Sequence, residues 1–333
     1  MEQEPSNQTP GYLRFTPGRA LSHWHRYVAR LLVQFYYSSL KFVTPNGLPV
    51  APFDGAIPTL ILASHRNGAT DGWVFNQLLP GGQFLAAVQL LRSRFLRLMF
   101  AGIPVVRDKD RERYGYSRGP ILHAIAHLKQ GGSVVVFPEG TSEWGPGPQP
   151  YHPGAAKIIR RLLQEQCRFQ VVVAGCFYQA PDRFGSAVEL LVDGPVVLPE
   201  QGDTNAAQWE QNIQQCLSQA LDSVSVNCRD EPMLARVEQQ ARSHCGVADS
   251  YARAFKQAEQ QRLSEPDIAA PQAEAPPAIT LWDHLTWRLF ILTLLPVWLC
   301  GWWGDAVLMG VTPPRSYALP AVLPWHCCGS LVW

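Results

Sequence analysis

The chain carries little charge. Only 17% of its 333 residues are Asp, Glu, Lys or Arg, against the roughly 25% of an ordinary soluble domain. Its 28 basic and 27 acidic residues nearly cancel, to a formal net charge of +1. A general nucleic-acid binder carries a strong basic excess, so no nucleic-acid partner is expected. Hydrophobic residues make up 47%, enough to bury a full core, which excludes disorder over most of the length. The length suits one large domain or one domain with an appendage. A charge-poor chain with 11 tryptophans points to contact with something apolar.

Metal-binding spacing is also missing. The eight cysteines, Cys167, Cys176, Cys216, Cys228, Cys245, Cys300, Cys327 and Cys328, form no C-x-x-C pair and no His/Cys zinc pattern. They read as reduced thiols of a cytosolic compartment, and no metal or bound cofactor is expected. The start, Met1-Glu2-Gln3-Glu4-Pro5, has no apolar run and does not read as a signal peptide.

Acidic residues are absent between Pro5 and Phe53, where Arg14, Arg19, Arg26, Arg30 and Lys41 occur. Leu21, Trp24, Val28, Leu31 and Phe35 recur there at helical spacing, widened by Tyr27, Leu32 and Tyr36. A basic, aromatic amphipathic helix of this kind suits an anionic membrane surface; packing on its own domain is the plainer alternative. A second acid-free stretch runs from Gly72 to Arg107, holding Arg92, Arg94 and Arg97 among leucines and phenylalanines. It reads equally as a lipid-touching helix or a core helix.

The middle of the chain alternates apolar runs with helical segments. Residues 59–64, 133–137, 170–175 and 188–192 read as strands, and 118–130, 153–166 and 204–224 as helices. Residues 230–262 are polar and helical and read as a surface helix pair. The alternation predicts an α/β domain, a mixed sheet flanked by helices. Residues 264–279 form a Pro/Ala-rich linker. Beyond it lie seven of the 11 tryptophans and a nearly apolar run over 289–303, which together predict a membrane-embedded segment. The expected organisation is thus a basic amphipathic segment at 1–50, an α/β domain with a helical end at 51–263, the linker, and a Trp-rich membrane segment at 280–333.

Three fragments carry chemistry. His65 follows the predicted strand directly, and Asp71 comes six residues later. A carboxylate beside an imidazole fixes its tautomer and leaves the second ring nitrogen as a base. Gly102–Arg107 is a short strand ending in Arg107, whose guanidinium suits a phosphate or carboxylate. Phe137-Pro138-Glu139-Gly140-Thr141-Ser142 closes another strand in a turn that lets a ligand approach the backbone.

In this order, over roughly Ile57 to Leu198, the three fragments resemble the blocks of the glycerolipid acyltransferases, the glycerol-3-phosphate and lysophosphatidic acid acyltransferase family. Residues 137–142 match that family's F-P-E-G-T-S block letter for letter. Five residues separate His65 from Asp71 where the commonest pattern has four, a spacing found in a branch that includes glycerol-3-phosphate acyltransferase-like proteins. Residues 171–175 stand in the place of a fourth block without its customary prolines.

The resemblance implies a membrane enzyme, its active site on the cytoplasmic face. It would transfer a fatty acyl group from acyl-CoA or acyl-carrier protein to a hydroxyl of a glycerophospholipid precursor, with 1-acylglycerol-3-phosphate as the leading acceptor. Glycerol-3-phosphate acylation and phospholipid transacylation are the alternatives, and a silent membrane scaffold is the non-enzymatic one. His65, oriented by Asp71, would be the general base. Arg107, Glu139, Gly140 and Thr141 would bind substrate, with Ser142 and Lys157 as further phosphate ligands. No covalent enzyme intermediate is implied.

Overall fold

The computed structural model describes residues 19–88, 91, 96–106, 119–181, 183–244 and 250–263. Arg107, the linker at 264–279 and the Trp-rich segment at 280–333 lie outside the described residues. Helix α1 (Arg19–Tyr36) leads directly into strand β1 (Tyr37–Val43). There follow β2 (Thr59–Ala63), α2 (Gly68–Leu78), β3 (Gln83–Ala87), the single-turn α3 (Leu96–Met99) and β4 (Ile103–Val105). The remaining elements are α4 (Gly119–Lys129), β5 (Val134–Val136), α5 (Gly154–Gln164), β6 (Gln170–Tyr178), β7 (Ser186–Asp193), α6 (Ala206–Val224), α7 (Glu231–His244) and α8 (Tyr251–Leu263).

The strands join in the order β1-β7-β6-β2-β5-β3-β4. Every neighbouring pair is parallel except β6–β7, so the sheet is mixed, as expected. Apolar runs without alternation make the central strands buried on both faces; in β2 all five residues are buried. Ile61, Ala63, Val135 and Val172 face Val74, Phe75 and Leu78 of α2 and Val33 of α1. Leu60, Leu62, Val134, Val136 and Val173 face the opposite layer, built from α4 to α8. The α/β expectation therefore holds, as three layers.

Three local expectations change. The boundary at residue 50 falls after β1, which pairs with β7 from Ser39–Ala187 to Val43–Leu191, so the sheet begins with residues from the predicted N-terminal segment. Within the acid-free stretch from Gly72 to Arg107, residues 83–87 form a strand. Its neighbours permit this: a Cβ on Gly102 would lie 2.5 Å from the Phe84 carbonyl oxygen, so the close approach of β4 to β3 requires glycine there. Helices α7 and α8 are not peripheral. Met233, Leu234, Val237, Tyr251, Phe255 and Ala258 enter the core, because their polar composition is confined to the outward face.

No helix of the described residues is long and apolar enough to cross a membrane. The four described cysteines, Cys167, Cys176, Cys216 and Cys228, are thiols outside any disulfide.

Helix α6 lies against β6 so closely that a Cβ on Gly175 would come within 1.7 Å of the Val224 carbonyl oxygen. Gly175→Ala must push backbone from backbone, and is expected to lower unfolding free energy by about 1–3 kcal/mol, read by urea titration. An unchanged midpoint would contradict this packing.

Candidate active site

Parallel β2, β5 and β6 end at one edge of the sheet, where crevices form in α/β folds. From β2 the chain passes Ser64, whose hydroxyl accepts the Cys176 N–H at 2.9 Å, and reaches His65 before α2 begins. The strand end is thereby fixed on β6 just ahead of the imidazole.

Asp71 sits in the first turn of α2, fully buried. Its Oδ2 lies 2.9 Å from His65 Nδ1 and accepts the backbone N–H groups of Arg66 and Asn67, each at 2.8 Å. Its Oδ1 accepts the Tyr178 hydroxyl from the end of β6. One carboxylate thus closes the turn, satisfies two backbone donors ahead of the helix and holds the histidine. The imidazole lies flat on Phe137, ring centroids 4.3 Å apart. Phe137 is itself braced by Phe75 and Phe84.

Glu139 is 5% exposed and bridges two backbone segments. One carboxylate oxygen accepts His65 N–H at 2.8 Å, the other Gln149 N–H at 3.0 Å. Burial raises its pKa, and the two N–H bonds oppose that rise. Arg66 is buried with its guanidinium 4.4 Å above the Trp144 ring. Burial lowers its pKa, countered by the charges of Glu238, Glu139 and Asp71.

A cavity of about 670 Å³ opens beside these groups. His65, Glu139, Gly140 and Thr141 line it, so the structure brings four of the predicted residues to one space. Its walls are mostly apolar, including Trp73, Phe84, Leu85, Ala87, Met99, Phe100, Val105 and Ile121. Asp71 stands behind His65. Ser142 is half-buried and Lys157 is exposed on α5; neither lines the cavity.

Other residues at the site were not singled out from sequence. His152 lines the cavity with its N–H bonded to Pro138 O at 2.8 Å. Its ring lies against Gly140, where φ is +67° and a Cβ would come within 2.9 Å of it. Helix α1 contributes Ser22, His25, Arg26 and Ala29 to the wall. His152 stands beside the Pro153-Gly154 helix start, the one local signal that could have pointed to it. Among the described residues no group of three His, Cys, Asp or Glu side chains is gathered as a metal site would require.

Removing the Glu139 carboxylate strands two backbone N–H groups, at about 1–3 kcal/mol for each buried donor. Glu139→Ala is expected to lose about 2 kcal/mol or more by denaturant titration. Stability equal to wild type would show that the clamp holds nothing.

No curated protein matches the chain. Among solved structures it is similar to the crystal structure of the 1-acyl-sn-glycerophosphate (LPA) acyltransferase PlsC from Thermotoga maritima. Identity is 15% and the TM-score 0.38, over 64% of this chain and 85% of that one. Residues 45–179 match the family model described as Acyltransferase, a span that contains His65, Asp71 and Glu139.

Proposed function

We propose that the protein transfers a fatty acyl group from an acyl thioester to a hydroxyl of a glycerophospholipid precursor, with 1-acylglycerol-3-phosphate as the leading acceptor. The observation that carries this reading is the His65–Asp71 pair at the wall of a large, mostly apolar cavity. Asp71 holds Nδ1, so Nε2 is the nitrogen that meets the acceptor. Nε2 takes the hydroxyl proton as the oxygen attacks the thioester carbonyl. The tetrahedral intermediate collapses, the C–S bond breaks, and the thiolate leaves with the proton carried by the imidazolium. The products are an ester and a free thiol. No group on the enzyme is acylated.

The apolar wall suits the acyl chain. Glu139, Gly140 and Thr141 stand where the polar part of the acceptor would lie, and Arg107 is proposed to reach its phosphate. Ser142 and Lys157 are weaker candidates, being set back from the wall.

Membrane attachment belongs to the same proposal. Helix α1 is apolar on two sides. His25, Val28, Ala29 and Val33 turn inward, while Trp24, Tyr27, Leu31 and Phe35 stay 45–57% exposed. Arg30 is exposed beside that outer stripe, so it pairs an aromatic surface with positive charge, which suits an anionic bilayer. The other side of the helix lines the cavity, which supports a lipid surface beside the acyl-binding space; the active site is proposed to face the cytoplasm.

Thioester consumption should be measured in liposomes with 1-acylglycerol-3-phosphate, glycerol-3-phosphate and a phosphate-free lysolipid. Turnover is expected to be highest with the first and to fall by about 10²–10⁴-fold in His65→Ala. A His65→Ala enzyme of wild-type rate would sink the mechanism. Preference for glycerol-3-phosphate would move the acceptor assignment, and absence of turnover alongside vesicle binding would favour a scaffold. Replacing Tyr27, Leu31 and Phe35 with Ser should weaken sedimentation with anionic vesicles at least about tenfold, through lost apolar burial. Unchanged sedimentation would remove α1 from the membrane contact.

A further inference from the structure

We infer that Tyr178 is a positioning residue for acyl transfer, its phenol fixing the second oxygen of Asp71 and with it the orientation of the His65 ring. The inference rests on the general-base reading above. Asp71 Oδ2 already gathers three donors, the His65 ring and two backbone N–H groups. Among the described residues the hydrogen bond to Oδ1 comes from Tyr178. Three donors at one oxygen fix its position but leave the carboxylate plane to turn about it. A donor at the other oxygen removes that freedom. Tyr178 can do so because it ends β6, the strand hydrogen-bonded to β2, so sheet register sets its hydroxyl against the histidine turn. Both groups are buried, and water has no access to take the place of the phenol.

The phenol remains a donor over the working pH range, because burial and then the Asp71 charge push its pKa well up. Several groups share this field. They are Arg66 from the histidine turn, Glu139 beyond β5, Glu238 on α7, Cys176 on β6 and Tyr37 on β1. Arg66 is the cation among them. Tyr37 supplies a control: it too is buried, its ring centre lies 5.8 Å from that of Tyr178, and it makes no hydrogen bond to Asp71.

The test compares Tyr178→Phe, Tyr37→Phe and His65→Ala in the full chain. It measures kcat and KM against pH with an acyl thioester and 1-acylglycerol-3-phosphate, melting temperature, and the ¹⁵N shifts of the His65 ring without substrate. Tyr178→Phe is expected to fold and to hold KM within about twofold, while kcat falls about 10- to 100-fold, the loss that follows from stranding a buried charged acceptor. Its acidic limb should move to higher pH, because an Asp71 charge no longer shared with the phenol holds the imidazolium more firmly. The His65 ring shifts should change in Tyr178→Phe and stay in place in Tyr37→Phe. Wild-type kcat and an unmoved acidic limb in Tyr178→Phe would overturn the inference, as would an equal kcat loss in Tyr37→Phe. If wild type turns over no thioester at all, the function reading fails instead, and unchanged ring shifts in Tyr178→Phe then overturn the positioning role separately.

Discussion

A single buried carboxylate organises the site. Asp71 is fully enclosed, and an ionised group there is tolerable only when its oxygens are saturated by donors. The structure supplies them from three sources: the histidine it orients, the two peptide N–H groups that would otherwise be orphans ahead of α2, and a phenol from the neighbouring strand. The histidine turn, the helix start and the β2–β6 register therefore depend on the same two oxygen atoms. Five residues between His65 and Asp71 give a turn that wraps back far enough for both peptide N–H groups to reach the carboxylate.

Much of this frame is legible in the sequence. Runs such as Leu60-Ile61-Leu62 and Val134-Val135-Val136 are apolar without alternation, which only a strand buried on both faces explains so economically. His65 and Glu139 could be placed because each follows such a run. The parts that stay hidden have physical reasons. Strand β1, Tyr37–Val43, has its interior residues mostly exposed or half-buried, as an edge strand does, and reads as a continuation of the basic helix before it. Strand β3 is half-buried throughout, and leucines and arginines on either side give its surroundings a helical look. In α7 and α8 the apolar residues are spaced among so many Glu, Gln and Arg that composition masks the buried face.

Contacts across long separations are hidden for another reason. Tyr178 lies 107 residues from Asp71, and Arg66 meets Trp144 only because the two loops share one end of the sheet. No local pattern encodes either meeting; both are set by strand order. The same limit explains Lys157. It follows a recognisable helix start, yet that helix turns Ala155, Ala156, Ile158 and Ile159 inward, and the intervening position is left facing solvent.

The Glu139 bridge has a consequence for how this region tolerates change. Its two oxygens tie His65 N–H to Gln149 N–H, so the chain leaves the sheet at residue 139 and is anchored again ten residues later on the same side chain. What lies between is a loop closed at its base, and the closure does not depend on the loop's own composition. Inside it, Trp144 lies under the Arg66 guanidinium and the Pro146 carbonyl accepts the Cys228 N–H at 2.7 Å, so the middle of the loop is tied to the domain as firmly as its ends. A change of length there would have to break one of these ties, so the segment that carries Gly140 and Thr141 along the cavity is held from both sides.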